Sequence, residues 1–377
     1  MPSPAPLRID PTIAAKARRG PVSIIDLGAI RANYVALAAA SGTAECAAIV
    51  KGDGYGLGML EVARTAWAAG ARLFFVARPD DGAQLRTALP EARIAVLDGL
   101  AGHTPETFEQ SRLMPVLGTT AELTAWLGGP RVGYMIHIDT AMNRLGFKPA
   151  DLVALAALLG EAARTPEAYL THFASADDGD LELCQRQVER FQAALKGLPA
   201  APISIANSAG LYLGARWPGQ ITRPGKALYG INPAPPGQPV PVLQALTVLA
   251  PVLQIGDVAP GDTVGYSATF RAERAMRIAT LGIGYANGYL RSLSNTGVVA
   301  FAGVRAPLVG RVSMDLVTVD VSAVPAAALS EGFAEMTGPS IGLTELCTLA
   351  GSNEYELQIA LGRGCRRIYI NAGADLA

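Results

Sequence analysis

The sequence predicts an α/β protein: a (β/α)8 barrel of the TIM type followed by a mainly β C-terminal domain. Eight short apolar runs alternate with amphipathic segments over roughly two hundred residues, which suits a closed barrel better than an open sheet. From about Leu246 the texture changes to strand-like runs separated by Gly, Pro, Asp or Asn. The length of 377 residues also exceeds one ordinary domain unless that domain is a barrel.

The elements follow in chain order. Residues 1–20 are Pro-rich and read as a loose N-terminal segment. The barrel takes residues 21–243, with the first strand able to pack with the C-terminal domain. Strands are expected at Cys46 to Val50, Leu73 to Ala77, Ile94 to Leu97, Met114 to Leu117, Gly133 to Ile138, Tyr169 to His172, Ile203 to Ala206 and Ile221 to Tyr229. Leu60 to Ala69, Asp81 to Leu89 and Asp151 to Ala163 carry apolar residues at helical spacing. Asn232 to Pro241 has the composition of a linker. The β-rich domain takes residues 244–377, with strands at Val248 to Val258, Arg277 to Gly284, Val298 to Phe301, Leu316 to Val321 and Phe333 to Thr337, and a helix at Leu343 to Ala350.

Composition excludes several functions. Half of the residues are hydrophobic and 17% are charged, with a formal net charge of -1, so nothing invites nucleic acid or an anionic membrane surface. No run of eighteen apolar residues occurs, and Met1 to Pro21 lacks an apolar signal core. A soluble, cytoplasmic protein is expected. Cys46, Cys184, Cys347 and Cys365 lie far apart and read as free buried thiols. With only His103, His137 and His172 as histidines, no metal site is expected.

The chemistry gathers where strands end. Ala47-Ala48-Ile49-Val50-Lys51-Gly52-Asp53-Gly54-Tyr55-Gly56-Leu57-Gly58 closes an apolar run on one lysine and then on glycines that admit close backbone approach. A lysine whose stem is held by apolar neighbours loses its proton cheaply and can form a Schiff base with a carbonyl. Its bland alternative is a solvated lysine in a Gly-rich turn. The glycines imitate a dinucleotide fingerprint, but the acid and the strand-glycine-helix order of that motif are misplaced. In His137-Ile138-Asp139-Thr140-Ala141-Met142-Asn143-Arg144, the Arg144 guanidinium either grips an anion bidentately or closes the Asp139 loop. His172 ends another strand, a place more often held by a packed core histidine. Asn207-Ser208 opens a helix whose free N–H groups suit a phosphate, unless Ser208 is an ordinary cap. Arg223-Pro224-Gly225-Lys226 follows. In the second domain Tyr266, Tyr285 and Met314 stand in Gly-rich turns, where residue type alone makes them core or surface filler.

Six of these runs, in order, resemble the motifs of the alanine racemase family, and the likeness spans nearly the whole chain, from Ile25-Asp26-Leu27 to Arg366-Arg367-Ile368-Tyr369. The resemblance implies that Lys51 carries pyridoxal 5'-phosphate and that Tyr55 reaches its phosphate. It implies that Arg144 holds the cofactor's phenolate or a substrate carboxylate. Many family members place a carbamylated lysine seven residues before that arginine. Here the position is His137, so the carbamate is not expected, what buttresses Arg144 is left open, and a chloride ion or another acidic group could fill the gap. The matching histidine, His172, lies against the pyridine ring and links to the catalytic tyrosine. Ser208 and the backbone of Gly225 and Lys226 hold the phosphate, while Arg223 faces the pyridine nitrogen. Ser204 replaces a histidine that usually bonds this arginine, so Arg223 needs another partner or a water.

An arginine in that place keeps its charge, its pKa lying above ~12, so the ring nitrogen stays unprotonated and withdraws less electron density. Protonation at Cα is then favoured over transamination. Val264-Gly265-Tyr266-Ser267-Ala268-Thr269 makes Tyr266 the second acid/base by resemblance, its ionisation eased by His172 and Arg223. Gly282-Ile283-Gly284-Tyr285-Ala286-Asn287-Gly288-Tyr289 places Tyr285 at the substrate entrance, although Asn287 and Leu290 depart from the family's Asp and Pro. Gly310-Arg311-Val312-Ser313-Met314-Asp315 gives the Met314 backbone N–H to the substrate carboxylate, with Asp315 ordering the loop. Tyr355 reaches the phosphate or narrows the access corridor.

The implied activity is interconversion of L- and D-alanine, supplying D-alanine for peptidoglycan, by Lys51 on one face and Tyr266 of a second subunit on the other. The implied partner is a second copy in a head-to-tail homodimer with shared active sites, acting on a small amino acid. A racemase of broader or serine specificity is the alternative, with His137, Leu57 and Asn287 as the departures that allow it. A non-catalytic pyridoxal-phosphate homeostasis protein would not need Tyr266 and Met314. A fold-related decarboxylase lacks its cysteine motif and glycine-triplet loop here.

Overall fold

The computed structural model describes residues 9–129, 131–162, 164–213, 217, 219–234 and 240–372. A helix at Pro11–Ala17 lies inside the segment expected to be loose. Asp10 caps it by accepting from the Thr12 N–H at 2.8 Å, and Pro11 fits its first turn. Ile13, Ala14 and Ala17 are buried against Val22, Ile24, Leu249 and Phe333, which fixes the helix by packing.

The first strand, β1 (Val22–Asp26), belongs to the C-terminal sheet, and the barrel begins after the helix Leu27–Ala40. Its strands are β2 (Glu45–Cys46), β3 (Ala48–Ile49), β4 (Leu73–Val76), β5 (Arg93–Val96), β6 (Met114–Leu117), β7 (Met135–His137), β8 (Ala168–Leu170), β9 (Ile203–Ser204) and β10 (Ile221–Thr222). From β3 to β9 they form one parallel seven-stranded sheet in chain order. The eighth position closes the ring: β10 pairs with β2, and an isolated bridge joins Asn207 to Arg223 on the β9 side. Strands covered on both faces are apolar throughout, as in β4, where all four residues are fully buried.

The run Ile221 to Tyr229 was expected to be one strand, and the structure corrects this. Only Ile221–Thr222 forms a ladder, followed by the single bridge at Arg223; Pro224 offers no N–H to a ladder, and Lys226–Tyr229 turn into a 3-10 helix. Its apolar residues are buried all the same, which is why periodicity could not separate the two states. The linker expected at Asn232 to Pro241 falls partly outside the described residues.

The second domain contains β11 (Leu246–Val258), β12 (Thr263–Val264), β13 (Phe270–Arg271), β14 (Met276–Leu281), β15 (Val298–Phe301), β16 (Val304–Pro307), β17 (Val317–Asp320), β18 (Phe333–Thr337) and β19 (Arg366–Ile370). The long β11 pairs antiparallel with β1, β14 and β18, while β19 adds to the far edge of β1 in parallel. Beyond the expected helix Leu343–Ala350 lies a second, Glu354–Gly364, capped by Asn353, whose side chain accepts from the Glu356 N–H at 3.0 Å. It leans on the loop after β3 so closely that a Cβ at Gly362 would stand 2.4 Å from the Gly56 carbonyl oxygen. This contact carries Tyr355 to the mouth of the barrel.

Candidate active site

At the C-terminal end of the barrel strands lies a cavity of about 670 Å³, the end at which such barrels build their sites. Lys51, Tyr55, Arg144, His172, Ser208, Arg223, Gly225, Lys226 and Tyr355 all line it. Nine expected site residues scattered over three hundred positions thus meet in one place. Leu97, Asp98, His137 and Asp177 also face it.

The loop that presents Lys51 is a left-handed turn. Gly52, Asp53, Gly54 and Tyr55 have φ of 64°, 59°, 60° and 50°. Glycine enters that region freely, whereas Asp53 and Tyr55 each cost about 1–2 kcal/mol there. Side-chain contacts offset the strain. Asp53 accepts from the Met59 N–H at 3.0 Å and pairs with Arg367. Tyr55 stacks on Tyr229 with ring centroids 4.5 Å apart, and the Tyr229 hydroxyl donates to the Ile49 carbonyl at 2.9 Å. Lys51 is half-buried, and burial, reinforced by the Arg144 and Arg223 charges, draws its pKa below the ordinary lysine value; Asp98 opposes the shift. The amine is therefore more readily deprotonated than a surface lysine, as a Schiff-base nucleophile requires.

Arg223 is buried, and that burial pulls its pKa down to about 10, so it remains a cation at neutral pH. Its Nη1 donates to Ser204 Oγ at 2.5 Å and its Nη2 to the Thr171 carbonyl at 2.6 Å. The serine that displaced the expected histidine is thus itself the partner, and no substitute is needed. His172 has its pKa pushed down to about 3 by burial first and then by the Arg223 and Lys51 charges, so its imidazole is neutral. Burial and the Arg223 charge likewise take His137 down to about 4.

Arg144 does not close the Asp139 loop. Asp139 accepts from the Ala141 and Asn143 N–H groups, each at 3.1 Å, and forms its ion pair with Lys148. Arg144 has no hydrogen-bond partner among the described residues and faces the cavity.

At the other end of the cavity, Ser208 Oγ accepts from the Gly225 N–H at 2.8 Å and the Ala227 N–H at 3.3 Å. Asn207 caps the short helix Ser208–Tyr212 through the Gly210 N–H. A Cβ at Gly225 would lie 2.4 Å from the Tyr55 hydroxyl, so only glycine lets the two meet. Lys226 pairs with Asp177 at 2.6 Å, and the Tyr355 hydroxyl donates to the same carboxylate oxygen at 3.3 Å. Asp98, Asp177 and the Lys226 side chain are the members that sequence reasoning missed. Asp177 stands in the loop that follows the strand expected to end at His172 and Asp98 just past another strand end, the one positional signal that marks them.

Tyr266, Tyr285 and Met314 do not line this cavity. They are 71%, 46% and 56% exposed, and Leu316 is 40% exposed. The Tyr285 and Ala286 N–H groups donate to the Ser313 and Met314 carbonyls, and Arg311 Nη1 donates to Ser267 Oγ. Ser313 ties the Met314 loop: its hydroxyl donates to the Leu316 carbonyl at 2.8 Å and accepts from the Leu316 N–H. The four cysteines are free and buried. Among the described residues no cluster of metal ligands occurs and no helix is long and apolar enough to cross a membrane.

The residues present fit pyridoxal phosphate: a desolvated amine, a hydroxyl and backbone N–H groups at Ser208 and Gly225, and a buried guanidinium line one cavity. Residues 25–233 match the family model of the alanine racemase N-terminal domain, and residues 245–369 that of the C-terminal domain. The chain is similar to the alanine racemase of Methylobacterium nodulans, with 38% identity over 96% of this chain and 99% of the relative. The alanine racemase of Acidiphilium cryptum is 41% identical over 92% and 98%. Among solved structures, the alanine racemase of Bartonella henselae with covalently bound pyridoxal phosphate superposes with a TM-score of 0.88 at 34% identity, covering 93% of this chain and 99% of that one. The biosynthetic enzyme of Pseudomonas aeruginosa gives 0.85 at 32% over the same shares.

A lysine-bearing barrel joined to a β domain in this way defines a pyridoxal-phosphate-dependent isomerase. More narrowly, the chain belongs to the alanine racemase family.

Proposed function

We propose that this protein interconverts L- and D-alanine in the cytoplasm, supplying D-alanine for peptidoglycan, with residues 21–243 carrying the cofactor and residues 244–377 completing the site of a second copy. The carrying observation is the half-buried Lys51, its charge opposed by Arg144 and Arg223 in the cavity that Ser208 and Gly225 close at the other end.

When bound, pyridoxal phosphate supplies an electron sink for the charge left on Cα. Lys51 would hold it, and the Lys51 amine would move the α-proton on one face. Tyr266 of the second subunit does so on the other face, so neither base has to cross the ring. Arg223 stays protonated and would donate to the pyridine nitrogen. Neutral His172 would face the ring without adding charge. Arg144 and the Met314 N–H receive the substrate carboxylate, Tyr285 and Tyr355 bound its access, and Tyr55, Ser208, Gly225 and Lys226 hold the phosphate. Tyr266 and Met314, 71% and 56% exposed and outside the cavity of their own chain, support the homodimer, since a second copy is what could bring them to a site.

A broader specificity keeps only His137 as support on the cavity wall. Leu57 is fully buried, and Asn287 is bonded to the Gly364 carbonyl at 3.0 Å. Borohydride reduction of the purified protein followed by peptide mapping tests the central claim. The modified peptide should contain Lys51, and Lys51→Ala should abolish both the label and the Schiff-base absorbance; label on any other lysine sinks the reading.

A further inference from the structure

Lys226 is the one cation of the cavity that the reaction outlined above uses only through its backbone. Its side chain is 9% exposed, and its ammonium sits 2.6 Å from Asp177 Oδ2, on a carboxylate that is itself 39% exposed. Burying an ammonium is costly unless it is paired and useful. A pair serving only as a clamp at the rim would leave the lysine, the longer and more strongly solvated partner, towards water. The arrangement here is the reverse.

The surroundings of that ammonium are those of an anion site. The N–H groups on either side of Lys226 in the chain, those of Gly225 and Ala227, both point at Ser208 Oγ. The Tyr55 hydroxyl crowds Gly225. The Lys226 Nζ lies 5.8 Å from the centre of the Tyr355 ring, and that ring is 5.9 Å from Tyr55. Four cations line the cavity, Lys51, Arg144, Arg223 and Lys226, against two carboxylates, Asp98 and Asp177. The unbalanced positive charge calls for a polyanionic ligand, and a phosphate monoester, near two negative charges at neutral pH, answers it at the Lys226 end.

We propose that the Lys226 ammonium is a direct ionic partner of the cofactor's phosphate, held in place by Asp177 until the phosphate arrives. This rests on the cofactor reading of the preceding subsection and adds a charge to a cradle otherwise made of hydroxyls and backbone N–H groups. Tyr355, which donates to Asp177 at 3.3 Å, keeps the carboxylate turned to the lysine when the phosphate is absent. The alternative is that Lys226 and Asp177 only tie the barrel to the helix Glu354–Gly364.

The two differ in how the protein tells phosphate from its absence. Cofactor-free protein is titrated with pyridoxal phosphate and, separately, with phosphate-free pyridoxal, following the Schiff-base absorbance of Lys51. Loss of one charge-assisted bond should raise the Kd of Lys226→Met for pyridoxal phosphate about tenfold to a hundredfold, with the Kd for pyridoxal unchanged. Lys226→Arg should retain most of the affinity, and Asp177→Asn should bind pyridoxal phosphate at least as tightly as the unaltered protein. Equal weakening of both aldehydes in Lys226→Met, or weakening of neither, overturns the proposal and leaves the tie. Should Lys226→Met not fold, Lys226→Gln carries the same comparison. If the unaltered protein takes up neither aldehyde at Lys51, the cofactor reading itself falls, a failure distinguishable from the first.

Discussion

The Arg223 guanidinium donates to Ser204 Oγ at 2.5 Å, and the Ser204 hydroxyl passes the bond on to the Ile221 carbonyl at 2.8 Å. A hydroxyl both accepts and donates, so one small side chain orients the arginine and satisfies the backbone of β10. A bulkier histidine is thereby dispensable, and the barrel wall behind the arginine stays closed.

Ser204→Ala removes both bonds inside a buried site. It leaves an arginine donor and a carbonyl unpaired, which costs about 1–3 kcal/mol. The unfolding free energy from urea denaturation should fall by that amount, and affinity for pyridoxal phosphate should weaken because Arg223 keeps only the Thr171 carbonyl as anchor. An unchanged denaturation midpoint and unchanged affinity together would show that Ser204 does not position the arginine.

The histidines give the protein a defined acid sensitivity. His172 titrates at about 3 in the fold against 6.5 ordinarily, through burial first and the Arg223 and Lys51 charges next. Between those values the unfolded chain binds a proton that the native chain refuses, so stability falls as pH falls through that window. One such proton changes stability by about 1.4 kcal/mol per pH unit. His137, at about 4, acts in the same direction over the narrower span. Denaturation of cofactor-free protein from pH 7 down to 4.5 should therefore show a steeper loss for the unaltered protein than for His172→Gln. Parallel slopes would mean that His172 accepts its proton in the fold.

How much of this was visible in the residues depends on the range of the forces involved. The barrel strands were legible because double-sided burial makes each a continuous apolar run, as in Leu73–Val76. The strand-end motifs were legible because each is local. The 3-10 turn Lys226–Tyr229 passed for strand because burial of Ala227, Leu228 and Tyr229 leaves the same hydrophobic trace in either state. Pro11–Ala17 looked loose because its order comes from packing on Leu249 and Phe333, far along the chain. The ion pair of Lys226 with Asp177 joins residues on different strand ends and has no local signature at all. The same holds for Ser204, which read as a missing partner and is a present one.

Tyr266 is 71% exposed and lies outside the cavity that holds Lys51, so a site containing both residues needs two chains. Lys51→Ala and Tyr266→Phe should each be inactive in racemisation, the second while retaining its Schiff base. Unfolding the two together and refolding them should restore activity, because half of the dimers then pair one variant with the other. Each such dimer holds one doubly altered site and one intact site, as the two-fold symmetry of a shared interface dictates. The mixture should reach about a quarter of the unaltered activity per site, measured by circular dichroism of the alanine enantiomers. If mixing restores nothing although both variants fold and associate, Tyr266 does not act across the interface.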